Sequence, residues 1–180
     1  MMIVIPNATS LEQQLQQTAA NWRRGLNVLS LLHKRMTQAE ETYGIDLSES
    51  AKVLKEAVVL AKEVDRDLYR ASKKIWGGAD YSKHRVAGAF KSLWKFVERP
   101  LKLYGAWGAL KGHKMYMTLA VHAVKMFSEG LKRQKRAVKV SRQDPDGEIQ
   151  EILSSAEKKT KNIARILGRV RKTLDAVEIQ

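Results

Sequence analysis

The sequence contains no cysteine. Disulfides, thiolate zinc sites, cysteine-ligated iron–sulfur clusters and cysteine nucleophiles are therefore excluded. Proline is scarce, at three of 180 residues, so few helices need be broken. No run of eighteen apolar residues exists, which argues against a transmembrane helix. The opening Met1-Met2-Ile3-Val4-Ile5-Pro6 lacks the basic start and long apolar core of a signal peptide. The expectation is a soluble chain, intracellular at birth. Hydrophobic residues make up 44%, a folded-protein composition that argues against intrinsic disorder.

What the sequence has in excess is positive charge. Lysine and arginine number 33 against 19 acids, a formal net of +14. The excess is one-sided. Residues 1–81 hold 11 bases and 10 acids, whereas residues 82–180 hold 22 bases and 9 acids. Between Lys83 and Arg142 there are 15 bases and only Glu98 and Glu129. Solubility asks for a net charge of only ~2–8 in a small domain. The surplus points to a polyanionic partner, with nucleic acid first and an anionic membrane surface as its competitor. The bland alternative is a solvated face.

The periodicity is helical almost throughout, which predicts an all-α fold. Thr9-Ser10-Leu11-Glu12 reads as a capping box. Leu11, Leu15, Trp22, Leu26, Leu29, Leu32, Met36 and Tyr43 follow at the spacing of one helix face, ended by Gly44. Asp46 and Ser48 offer the next cap, and Leu54, Val58, Ala61, Val64, Leu68, Ala71 and Ile75 form the second face, up to Gly77-Gly78. Residues 1–81 thus read as a long, charge-balanced αα-hairpin making subunit contacts, a thin arm with exposed apolar flanks. Residues 82–180 read as a basic helical nucleic-acid-binding region. Ser82 opens a third helix stopped by Pro100, and residues 101–112 show no clear pattern. A fourth helix with Met117, Val121, Val124 and Phe127 ends at Gly130. Ala137 to Val140 is the only strand-like piece. Asp144-Pro145 reads as the N-cap of a last helix carrying Ile149, Ile152, Leu153, Ala156, Ile163, Ile166, Leu167, Val170 and Leu174.

Three basic sets are the candidate nucleic-acid contacts. The densest is Lys132, Arg133, Lys135, Arg136, Lys139 and Arg142, with no acid between them. The last helix adds a stripe of Lys158, Lys161, Arg165, Arg169 and Lys172, at steps of three and four. Before Pro100 stand Lys83, Arg85, Lys91, Lys95 and Arg99, with Lys102, Lys111 and Lys114 beyond it. A basic amphipathic helix also suits a membrane surface, but the last helix has no aromatic anchor. No zinc finger, ribonucleoprotein motif or bZIP region is present, so phosphate contacts without base readout are the expected mode. The tryptophans Trp22, Trp76, Trp94 and Trp107 read as core or interface residues, with base stacking as the alternative. The histidines His33, His84, His113 and His122 form no metal-binding pair, and no Walker A loop, GxSxG or GxGxxG appears. No cofactor, metal site or catalytic constellation is expected.

The stretch from His113-Lys-Met-Tyr-Met-Thr-Leu-Ala120 through Lys132-Arg-Gln-Lys-Arg-Ala-Val-Lys-Val140 to the closing helix resembles the C-terminal part of the CRISPR-associated exonucleases of the RecB nuclease superfamily. In that family a lysine-bearing strand leads into a helix of the form H-x-x-Q-x-x-x-Y, and a basic strand and a last helix follow. Lys111-Gly112 stands at the lysine and glycine, Ala109 at the metal-binding glutamate, Tyr116 at the glutamine and Ala120 at the tyrosine. The family's cluster cysteines have no counterpart. The resemblance covers about a third of the chain and implies an inactivated nuclease that has kept a nucleic-acid-facing surface. The major coat proteins of filamentous viruses of hyperthermophilic archaea, the tristromaviruses, are similar to nucleases inactivated in this way. This implies a non-enzymatic capsid protein of the virion that wraps linear double-stranded DNA, held in A-form, in a helical nucleocapsid. The implied partners are the DNA and either a second, related coat protein or another copy of the chain, with any contact to a membrane envelope indirect. Assembly would take place in the host cytoplasm. A cellular nucleoid protein and a membrane-surface protein are the alternatives.

Overall fold

A computed structural model describes residues 8–76, Lys95 and residues 105–179. The described chain forms four long helices: α1 (Ala8–Tyr43), α2 (Ser48–Trp76), α3 (Gly105–Ser141) and α4 (Glu148–Asp175). The fold is all-α, with no strand among the described residues. The helix proposed between Ser82 and Pro100 lies outside them, except for Lys95, which is helical and exposed.

The helices form a square bundle. α1 packs on α2 and α3, and α4 packs on the same two, leaving α1 opposite α4 and α2 opposite α3. Neighbours run antiparallel. Ser50 near the start of α2 hydrogen-bonds Thr173 near the end of α4 at 2.8 Å, and Lys74 at the end of α2 pairs with Glu148 at the start of α4. On the other side, the Trp22 ring of α1 lies 4.7 Å from Phe127 of α3. Trp76 and Gly105 accordingly stand at opposite ends of the bundle.

A single core runs through the square. Trp22, Leu29, Leu32 and Met36 of α1 meet Leu54, Ala61 and Val64 of α2, Met117, Val124 and Leu131 of α3, and Leu153, Ile163 and Leu167 of α4, all nearly inaccessible. Burying each large side chain contributes about 1.5–3 kcal/mol. The Trp22 indole N–H donates to the Ala61 carbonyl at 2.8 Å, so the largest core side chain leaves no donor unpaired.

The apolar stripes of the hairpin are therefore covered within the chain. The thin arm with exposed flanks does not exist, because α3 and α4 close the square over both stripes. Tyr43 alone among the residues assigned to the α1 stripe is exposed, at the last turn. Gly44 follows at φ +64°, the left-handed position that ends a helix without strain only for glycine. Asp46 accepts hydrogen bonds from the Ser48 N–H and hydroxyl at 3.2 and 2.6 Å, the expected start of α2. The described part of α1 begins at Ala8, with Thr9 and Ser10 already helical.

Three further expectations are corrected. The fourth helix does not end at Gly130, and Ala137–Val140 is not a strand. Leu131 and Val138 continue the buried face of Val124 and Phe127, and this 3.6-residue period carries α3 through to Ser141. Residues 105–112, which show no clear pattern, form the first turns of the same helix. Asp144-Pro145 is not the N-cap of α4, which starts at Glu148 after Gly147 at φ +72°. Asp144 caps from farther out, its two oxygens accepting from the Ile149 and Gln150 N–H at 3.1 and 3.0 Å. Its carboxylate thereby satisfies two donors that a helix start leaves open.

Candidate nucleic-acid interface

Because α3 is one unbroken helix of 37 residues, its cations fall into register. At 100° per residue, Trp107, Lys111, Lys114, Thr118, Lys125, Lys132, Arg136 and Lys139 share its outward face. Arg133 lies on the flank toward α1. The acid on this face is Glu129. Lys125 was not among the residues singled out from sequence. Its signal is the step of seven to Lys132 and again to Lys139, which only an uninterrupted helix turns into a stripe.

The stripe on α4 forms as expected. Lys158, Arg165 and Lys172 are exposed along its outer side. The Lys135–Glu157 and Thr118–Arg171 contacts fix the antiparallel register of α3 and α4. That register puts Lys125 level with Arg165 and Lys132 level with Lys158. Like charges thus face each other across the seam between the two helices.

The ion pairs divide this surface. Lys114 and Arg171 meet Asp175 at 3.4 and 2.7 Å, Arg169 meets Glu56 at 3.6 Å, and Lys135 and Lys161 meet Glu157 at 3.1 and 3.3 Å. Lys111 lies over the Trp107 ring at 4.8 Å from its centroid. By contrast, Lys125, Lys132, Arg133, Arg136, Lys139, Arg142, Lys158 and Lys172 pair with no described carboxylate, and Arg165 touches only Asn162, at 3.3 Å. Apart from Lys172, these cations lie in the half of the face near the α3–α4 turn, within about 25 Å from Lys125 to Arg142. Lys83, Arg85, Lys91, Arg99 and Lys102 lie outside the described residues.

Two acids sit under the basic surface on opposite flanks of α4. Glu157 faces α3. Burial alone would raise its carboxyl, but hydrogen bonds from Lys135 and Lys161, with their charge, hold it below the usual range. Asp67 of α2 is equally covered and accepts from Lys159 at 2.9 Å and Ser155 at 3.3 Å. At the far end of the bundle His113 is buried, with no partner for Nδ1. Burial, with the Arg35 charge nearby, pushes its pKa down to about 4.

The positions matched to the nuclease motif all fall on α3. Ala109 is half-buried and offers no oxygen donor, while Tyr116 and Ala120 point into the core. Lys111-Gly112 is helical, where the family has a strand. Among the described residues no group of three or more His, Asp or Glu is placed to hold a metal ion. Of the four tryptophans Trp22 is core, Trp107 is 65% exposed, Trp94 lies outside the described residues, and Trp76 is helical with its side chain not described. A cleft of about 610 Å³ between α2 and α4 is lined by Lys74 paired with Glu148, by Arg70 paired with Asp67, and by Lys73 and Glu151. Among the described residues no helix is long and apolar enough to cross a membrane.

Compared with protein-family models, curated proteins and solved structures, the chain matches none.

Proposed function

We propose that this chain binds double-stranded nucleic acid through sequence-independent phosphate contacts, as a packaging protein without enzymatic activity. The observation that carries the reading is the α3–α4 face, where Lys125, Lys132, Arg136, Lys139, Lys158, Arg165 and Lys172 stand on two adjacent helices with no described carboxylate partner, joined by Arg133 on the flank and Arg142 just past α3. Cations held at fixed spacing and in excess over the acids among them repel one another, and a polyanion relieves that repulsion. Among the described residues no Asn, Gln or Arg is presented on a slender helix able to enter a groove. The outward face of a four-helix block touches phosphates and leaves the base edges unread.

A single strand is the weaker fit, since strand binders interleave cations with aromatic platforms. The one exposed tryptophan of α3, Trp107, lies about 27 Å from Lys125 along the helix. A membrane surface is weaker too. The exposed apolar residues of α3, Trp107, Met115, Met126 and Val140, are strung over about 50 Å instead of forming one wedge. The sequence resemblance to inactivated nucleases, and through them to filamentous-virus coat proteins, is the ground for proposing that this packaging takes the form of a helical nucleocapsid wound on linear DNA. The phosphate-binding face supports the DNA-contacting part of that role.

The test replaces Lys132, Arg133, Lys135 and Arg136 by Ala and measures binding to several duplexes of unrelated sequence. Affinity falls alike for all of them, and the salt dependence flattens. Loss confined to one sequence contradicts the proposal.

A further inference from the structure

Glu157 lies in the seam of the basic face, and its side chain is only 9% exposed, against 55% for Asp175 farther along the same seam. Its carboxylate takes Lys135 from α3 at 3.1 Å and Lys161 from α4 at 3.3 Å. The two lysine side chains are less covered than the carboxylate, at 34% and 59% exposed. Lys132 and Lys158 flank the trio at the same level of the two helices.

We infer that Lys135 and Lys161 form a phosphate subsite at the centre of the face, one that Glu157 holds partly closed as an internal counter-anion. This rests on the nucleic-acid reading above. The ammonium groups are attractive to a phosphate because they come from two helices and converge on one point. A phosphate that takes them must share them with Glu157. A carboxylate that is nearly covered and stripped of its partners is unfavourable, and that cost is set against the new contact. Lysine tolerates such sharing, since its ammonium carries three donors on a flexible stem. The face therefore binds its polyanion less tightly than its cation count implies. The same carboxylate allows two strongly basic helices to pack side by side when no polyanion is present.

Asp67 supplies the control. It is as well covered, at 8% side-chain exposure, and it also pairs with a lysine of α4. It belongs to α2, however, and meets α4 on the flank opposite to the one Glu157 occupies. Glu157→Gln and Asp67→Asn each raise the net charge by one and each keep an amide oxygen as acceptor. Only the first frees the subsite.

The experiment is a salt titration of the full chain against a 20-base-pair mixed-sequence duplex, read by fluorescence anisotropy, for wild type and both variants. Glu157→Gln is expected to tighten binding at least about threefold and to steepen the log–log salt slope by about one, near 0.9 per phosphate gained. Asp67→Asn is expected to change the affinity by less than half as much. Equal tightening by both variants would reduce the effect to net charge and overturn the subsite, as would unchanged or weaker binding by Glu157→Gln. Should Glu157→Gln fail to fold, the double change Lys135→Gln with Lys161→Gln is compared with Lys132→Gln plus Arg136→Gln. The latter should flatten the slope by about 1.8 and the former by less than half of that. Equal flattening overturns the inference. A wild type that binds without salt dependence overturns the nucleic-acid reading itself, and the subsite falls with it.

Discussion

Lys159 reaches from α4 to a carboxylate oxygen of Asp67 on α2 at 2.9 Å, with the two side chains 28% and 8% exposed. The pair lies between two helices that meet along most of their length, and Ser155 donates to the same oxygen at 3.3 Å. It is one of the few charged contacts of the bundle sheltered from water. Asp67→Ala should therefore cost about 2 kcal/mol, measured by urea denaturation, because Lys159 is left poorly compensated. The α2–α4 pair Glu56–Arg169 spans 3.6 Å with both side chains about half exposed. Glu56→Ala should cost less than about 1 kcal/mol in the same assay.

His113 predicts how stability follows pH. Its folded pKa is about 4, against an ordinary value of 6.5, because burial disfavours the imidazolium. Between those values the unfolded chain binds a proton that the folded chain does not, so stability rises with pH across this window. Falling from pH 6.5 to pH 4, the protein should lose stability progressively. Below the ordinary carboxylate range, protonation of Glu157 removes more. Chemical denaturation at closely spaced pH values checks this, and His113→Leu should flatten the slope between pH 6.5 and 4, leaving the part due to His33, which burial and the Lys55 charge also hold below its ordinary value.

Arg142 sits at φ +58° immediately after α3, a position where glycine is the unstrained choice. Arg142→Gly should raise stability by about 1 kcal/mol by relieving that backbone. The same change should weaken duplex binding, since Arg142 is exposed and pairs with no described carboxylate. Thermal melts and anisotropy on one preparation read the two opposing effects together.

Much of the bundle was legible in the sequence, because buried positions recur at helical spacing. The stripes Leu11–Met36, Leu54–Ala71 and Ile149–Leu174 are the core. Gly44 ends α1, and the Asp46–Ser48 pair opens α2, as local chemistry requires. The errors share a cause. Gly130 resembles a helix stop, yet an isolated glycine is tolerated in a helix whose neighbours Phe127 and Leu131 are buried. Alternating Val138 and Val140 imitated a strand, yet only Val138 is buried, while Val140 is 81% exposed. Closure of the square could not be read from helix periodicity, which marks an apolar face without naming what covers it. That is why the hairpin looked like an arm. The candidate site was legible as composition but not as pairing. Glu157, Asp175 and Glu56 take Lys135, Lys161, Lys114 and Arg169 out of the free set, and only the packing of the helices brings these partners together.

Trp22 is predicted to be the most sensitive position of the core. It is fully buried, contacts Phe127 and donates to the Ala61 carbonyl. Trp22→Ala should cost about 3–5 kcal/mol. Trp22→Phe retains most of the apolar contact and loses the hydrogen bond, leaving the Ala61 carbonyl with one partner fewer. It should cost about 1–3 kcal/mol. Denaturant midpoints at constant m-value separate the two.

The central claim is that the α3–α4 face binds a duplex by neutralising phosphates. The most direct measurement is the dissociation constant of the purified chain for two 30-base-pair duplexes of unrelated sequence, followed from about 50 to 300 mM salt. Eight cations with no described carboxylate partner lie between Lys125 and Arg165 near the α3–α4 turn. If most of them meet phosphates, both duplexes should give the same log–log slope, between about −5 and −7. A slope near zero, or tight binding to one sequence that persists at 300 mM salt, would contradict the account.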